Sequence, residues 1–196
     1  MNKRDFLAAA IMGSASLPAL ARAPTKQAAR KTPTLLTIAG AIGLGNRGAM
    51  DPVLDQLMKK QGVNFHKAHS FDFAALLRLP AVTIRPTLEY DARVHTLRGT
   101  LVADVIGAAG AQTDAKTTVL LRGIDGYAVQ TTMADIQRYR MMVATHLDGA
   151  PMPLGGVGPL WAVYDADRFA DRMAMPLADR YSSCPWGLYF IDLQSG

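Results

Sequence analysis

The chain has 196 residues, 49% of them hydrophobic and 19% charged, which is enough for one domain with a proper core and excludes a disordered composition. Its formal net charge is +5, and Lys3, Arg4 and Arg22 less Asp5 place part of that at the amino terminus. No Lys/Arg block tracks a phosphate backbone and the aromatics do not interleave with basic residues, so the pattern speaks against a nucleic-acid partner.

Residues 1–23 read as a targeting segment, with Lys3-Arg4 as a charged n-region, an apolar stretch from Phe6 to Leu20, and small residues at Ala21-Arg22-Ala23. The apolar stretch is short and carries Gly13 and Pro18, so no stable membrane span is expected. The run Asn2-Lys3-Arg4-Asp5-Phe6-Leu7 resembles a twin-arginine export signal with Lys in the first Arg position. An exported, periplasmic protein follows as the expectation. Residues 24–33 are polar, basic and Pro-flanked, and read as a linker before a folded domain at 34–194.

Leu35, Leu36 and Ile38 predict a strand ending at Gly40. Gly43-Leu-Gly45-Asn-Arg-Gly48 has the form GxGxxG, but no acidic residue follows about twenty positions on and no βαβ series appears. A glycine-rich turn is the better reading, and Asp51-Pro52 then open a helix over Asp51–Gln61. A second helix is expected over Asp72–Leu79, with Phe73, Leu76 and Leu77 inward. Between the helices, His66 and His69 stand at helical spacing, a weak metal signal with no Cys or carboxylate cluster nearby.

From Pro80 the pattern turns to strands. Ala81–Arg85 and Arg93–Leu97 are expected to flank Pro86-Thr87-Leu88-Glu89-Tyr90-Asp91. Gly99-Thr100 opens a helix over Leu101–Ala108 that Gly110 ends. Val119–Leu121 and Ala128–Thr132 are strands joined by an Asp125-Gly126-Tyr127 turn. Met133–Ile136 is a helical turn, and Met141–Thr145 a strand leading to Asp148. The stretch from Asp148 to Asp165, DGAPMPLGGVGPLWAVYD, begins with a turn, holds Gly155, Gly156 and Gly158, and ends in a strand at Leu160–Tyr164. Asp165–Pro176 is polar and expected to be exposed, and Trp186–Leu193 alternates as a final strand. Many short strands in mixed sheets with a few short helices make an α+β fold.

The order of these blocks resembles a known family. Gly99-Thr-Leu-Val-Ala-Asp-Val-Ile with Ala109-Gly110, Asp125-Gly126-Tyr127, Asp135, Ala144, Asp148-Gly149, Gly158-Pro159-Leu160 and the closing strand resemble the oxidoreductase molybdopterin-binding domain of the sulfite oxidase family. The resemblance covers residues 34–194 and rests on order and spacing, since each motif is short. It implies a sulfite-oxidase-type molybdopterin-binding fold. It also implies a molybdenum-ligating Cys about a dozen residues before Gly99, and that position falls at Thr87. A Thr hydroxyl is harder than a thiolate and hardly ionised at neutral pH, so it does not replace the metal ligand. The single cysteine is Cys184, far from that position in sequence and unable to form an intramolecular disulfide.

Two functions stay open at this point. One is a molybdopterin oxidoreductase acting on a small oxyanion or sulfoxide with an external redox partner. In it Arg85, Arg122 and Arg138 would bind a pterin phosphate or an anionic substrate. Thr87, at the ligand position, is counted with them as cofactor-binding. The other reading is a relative that keeps the fold without the metal and binds a small anionic ligand or a periplasmic protein partner. Neither a metal site nor a catalytic residue is assigned. Met141-Met142 and Met173/Met175 are read as core fillers and not as copper ligands.

Overall fold

The computed structural model describes residues 32–194; the stretch 1–23 read as a targeting segment, and the stretch read as a linker as far as residue 31, lie outside the described residues. At its centre, β1 (Thr34–Gly40) pairs in parallel with β10 (Leu188–Gln194), so the first and last strands are neighbours. β2 (Ala68–Asp72) lies antiparallel on the outer side of β1. β5 (Thr118–Gly123) and β6 (Ala128–Thr132) extend the sheet beyond β10, giving the order β2-β1-β10-β5-β6. Both faces of this sheet are covered. Leu36, Ile38, Val119 and Leu121 enter the main core. Ala39 and Phe190 join Met58, Val63 and Phe65 in a smaller cluster. Burial on both faces is why β1 and β10 read as continuous apolar runs.

The second sheet is built on β7 (Met142–Leu147), which pairs with β4 (Leu97–Leu101) on one side. β3 (Ala81–Ile84) lies beyond β4. On its other side β7 meets β8 (Ala150–Pro151) at one end and β9 (Trp161–Val163) at the other. Asp148 and Gly149 are the two loop residues between β7 and β8, both at positive φ (49° and 84°). That is the two-residue hairpin geometry for which an Asp-Gly pair is suited. The side chain of Asp148 also holds the hairpin to the loop before β4, accepting the Thr96 N–H (2.8 Å) and meeting His95 Nδ1 (2.7 Å).

The helices are short: α1 (Gln56–Lys60), α2 (Phe73–Leu77), α3 (Val102–Ala108), α4 (Met133–Arg138) and α5 (Ala170–Met173). Asp72 caps α2 by accepting the Ala75 N–H at 2.6 Å, and Thr132 caps α4 through Asp135 N–H. Gly110, at φ 71°, ends α3 as the sequence predicts. Gly43 packs against the Gly110 carbonyl and no helix opens directly at Gly48, the next one starting at Gln56, so the GxGxxG stretch is a glycine-rich turn.

Several element boundaries differ from expectation. The helix expected over Asp51–Gln61 shrinks to α1. Asp51 accepts the Val53 and Leu54 N–H groups as a cap would, but the backbone leaves helical geometry at Asp55 (φ -84°, ψ 52°) and the helix starts only at Gln56. His66 and His69 do not share a helix face, since His69 lies in β2 and its Nδ1 sits 3.1 Å from the Leu44 carbonyl. Leu77 is 42% exposed and not inward. Arg93–Leu97 is mostly loop, and the strand runs from Leu97 to Leu101 instead. Gly99 decides this register, because any Cβ there would collide with the Val143 carbonyl of β7. The helix after it consequently starts at Val102. Asp165–Pro176 is only partly exposed: a 3-10 turn, Ala166–Arg168, buries Ala166 completely. Among the described residues, no helix is long and apolar enough to cross a membrane.

Candidate functional site

The segment that leaves β3 passes through Thr87, where it is held from both sides. The Thr87 N–H donates to Asp167 Oδ2 at 2.7 Å, and the Thr87 carbonyl accepts the Tyr181 hydroxyl at 2.8 Å. A single bridge to Val94 and the burial of Leu88 complete the anchorage. Asp167 stands on the 3-10 turn Ala166–Arg168, where Arg180 Nη1 approaches its other oxygen at 3.4 Å. The excursion between β9 and β10 therefore folds back onto residues 85–90 and fixes their backbone.

An aromatic floor lies under this segment. Trp161 and Tyr164 are fully buried, and the Trp161 Nε1–H donates to the Cys184 carbonyl at 2.9 Å. The Tyr164 hydroxyl donates to the Arg180 carbonyl at 2.6 Å, and burial pushes its pKa up to about 12. The Arg172 guanidinium stands 4.4 Å from the Tyr139 ring centre and 5.3 Å from that of Tyr164. Cys184 is 4% exposed, and burial raises its thiol to about 12, so it is a neutral thiol near pH 7.

Two cavities flank the pinned segment. One, of about 220 Å³, opens beside β3 between Ile84, Tyr139 and Phe169, with Arg140, Arg168 and Asp165 on its wall. Burial holds the Asp165 carboxyl above the usual carboxylate range, and its Oδ1 has no hydrogen-bond partner. The other, of about 290 Å³, is walled by Tyr90, Tyr127, Tyr181 and Trp186, with Glu89 and Asp125 as its charged groups. Cys184 lies at its base. Tyr90 and Trp186 also line an adjoining apolar groove with Ile124, Gly155, Gly156 and Val157. The glycine-rich loop after Asp148 thus rims the groove that adjoins this second cavity.

The four residues selected from the sequence do not converge. Thr87 lines neither cavity, though its partner Tyr181 walls the second, and Arg85 is exposed just past the end of β3. Arg138 is exposed on α4, 3.2 Å from Asp171, with its guanidinium 4.9 Å from the Tyr139 ring centre. Arg122 pairs across from Phe190 on β5, on the sheet face opposite Leu121, and its Nε is buried without a partner. The residues that do converge, Glu89, Tyr90, Tyr127 and Trp186, were not singled out from the sequence. The local signals they carry are that Glu89-Tyr90 follows Thr87 by two residues, that Trp186 follows Cys184 by two, and that Tyr127 belongs to the Asp125-Gly126-Tyr127 turn, read there only as a turn.

A molybdenum–pterin group needs a soft thiolate for the metal and cations for its phosphate. The residues here do not fit it. Thr87 offers a hydroxyl, and the Cys184 thiol is neutral and buried. The cavity walled by Glu89 and Tyr181 is lined by two acidic residues and no basic one, and the arginines of the other cavity, Arg140 and Arg168, have no thiolate beside them. Among the described residues no group of three or more His, Cys, Asp or Glu side chains is placed to hold a metal.

No family model matches the sequence, and no curated protein matches it. Twenty-four solved chains match in structure. One is the crystal structure of the sulfane dehydrogenase SoxCD from Paracoccus pantotrophus, with a TM-score of 0.54 and 12% identity, over 82% of this chain and 38% of that one. At that identity the likeness speaks for fold alone. It supports an architecture shared in part with that chain, here many strands in two sheets with a few short helices. The chain spans well under half of that structure's length.

Proposed function

We propose that this chain is an exported, non-catalytic binding module on an oxidoreductase-type fold, with the cavity beside Thr87 as its ligand site. One observation carries the reading. Where the family resemblance asks for a metal-binding thiolate there is Thr87, and the cavity next to it presents Glu89 and Asp125 in place of cations. The binding chemistry that remains is contact with aromatic faces and two carboxylates, on a segment already held by Asp167 and Tyr181. A wall fixed before the ligand arrives loses little freedom on binding.

The test is to purify the mature protein from the periplasmic fraction of a molybdenum-replete, maturation-competent host. Molybdenum is then measured by elemental analysis and pterin by fluorescence after release. The expected result is a processed chain with neither present in stoichiometric amount. Stoichiometric molybdenum with pterin would establish the oxidoreductase instead, and retention of the unprocessed chain in the cytoplasm would remove the export claim.

A further inference from the structure

The cavity beside Thr87 differs in charge from the rest of the folded part. Of the 21 basic and 16 acidic residues, six and one precede Thr32, so the described residues carry 15 of each. On this neutral body the cavity collects two carboxylates, four aromatic rings and no cation. Glu89 is the only glutamate in the sequence, and neither it nor Asp125 takes part in an ion pair among the described residues.

We infer that this cavity binds a small organic cation of the quaternary-ammonium class, its charged head against the aromatic walls and Glu89, its alkyl part toward the adjoining groove. Three features select that class. First, the aromatic surface is accessible: Tyr90, Tyr127 and Trp186 are 58%, 50% and 40% exposed. Electron-rich ring faces attract a cation that has little hydration to lose. Second, a strongly hydrated metal ion asks for a shell of oxygen ligands, and the cavity has only two carboxylates. Third, the groove that shares Tyr90 and Trp186 is lined by Ile124 and Val157, which suits a short alkyl chain. The volume, about 290 Å³, is at the small end for ligand cavities.

The walls are set before binding. The Tyr127 hydroxyl donates to the Ser182 carbonyl at 2.6 Å, and the Tyr127 N–H donates to Asp125 Oδ1 at 3.0 Å. Tyr181 is held on Thr87. Partial desolvation and the neighbouring Glu89 shift the Tyr90 phenol upward, so its ring stays neutral at physiological pH. The inference rests on the proposal that no molybdenum–pterin group fills this space.

The experiment titrates the purified mature protein with choline, with its neutral carbon isostere 3,3-dimethylbutan-1-ol, and with inorganic phosphate. The signals are tryptophan emission and titration calorimetry. Trp186 is the partly exposed tryptophan and Trp161 is fully buried, so an emission change reports on the cavity. Choline is expected to bind and the alcohol to bind at least about tenfold more weakly. Glu89→Gln should raise the choline Kd about fivefold with an unchanged melting temperature, and Trp186→Ala should abolish the emission signal and weaken binding about tenfold. Equal binding of the alcohol, competition by phosphate, or no choline binding up to about 10 mM would overturn the inference. Molybdenum and pterin are measured on the same batch. Metal-free protein that ignores choline defeats the cation inference alone, whereas a stoichiometrically loaded batch defeats the binding-module proposal with it.

Discussion

Replacing Tyr181 by phenylalanine removes one hydroxyl and leaves a ring that packs 6.1 Å from both Trp161 and Tyr164, centre to centre. The lost contact is the 2.8 Å bond to the Thr87 carbonyl. A neutral hydrogen bond is worth about 1 kcal/mol net, and an acceptor left without a partner adds to the loss when water cannot reach it. Tyr181 is 4% exposed and Thr87 half-buried, so a destabilisation of about 1–2 kcal/mol is expected. For a domain of this size that lowers Tm by about 2–8 °C. The loss should also be local, with faster amide exchange across Leu88–Ala92 and little change in β5 or β10. Asp167→Asn weakens the other bond to Thr87, so the double variant should be non-additive, since both partners act on one residue. Calorimetry and amide exchange on the four proteins measure this. An unchanged Tm with unchanged exchange in Tyr181→Phe would refute the claim that residues 85–90 are pinned, and full additivity would refute their coupling.

Two further predictions concern the frame of the site. Gly99→Ala would drive a Cβ into the Val143 backbone of the neighbouring strand, so loss of soluble protein or a fall in Tm above about 10 °C is expected, read by expression yield and calorimetry. His95 lies between Asp148 (2.7 Å) and Asp91 (3.0 Å), and those hydrogen bonds raise its pKa above the ordinary histidine value. Its stabilisation is therefore complete below the unfolded pKa of about 6.5 and is lost as pH rises through the higher folded value. Its partners Asp91 and Asp148 are shifted down, mainly by the His95 bond and by the Thr96 N–H respectively. Their contribution is present above about pH 4 and lost as pH falls through the folded values. The Tm difference between the natural chain and His95→Gln should thus be largest between about pH 4 and 6.5 and shrink above it; a difference that grows with pH would contradict the geometry.

Much of the local structure is legible in the residue order. Asp148-Gly149 makes the turn its two residue types favour, Asp72 caps the helix that follows it, and Gly110 ends α3 at positive φ. These features depend on atoms within a few positions of each other, so adjacent residue types suffice. The register of β4 is different. Gly99 looks like a helix opener until β7 is placed beside it, and then it is the position where a side chain cannot fit. The pairing of β1 with β10 is likewise invisible locally, because it joins strands at opposite ends of the described chain.

The site divides in the same way. From the sequence alone, the absence of a thiolate at Thr87 is plain, as is the single cysteine, because each is a matter of which atoms a residue carries. Arg85, Arg122 and Arg138 looked like an anion-binding set only because charge is visible in sequence and position is not. Folding puts Arg122 on the far face of the central sheet and Arg138 against Asp171. It brings Glu89 and Tyr90 together with Asp125, Tyr127 and Trp186, which come from three separate segments. The absence of a thiol at position 87 was therefore determined by composition at one position. The sign of the charge facing the cavity was decided by packing, because electrostatic attraction depends on distances that only the tertiary structure sets.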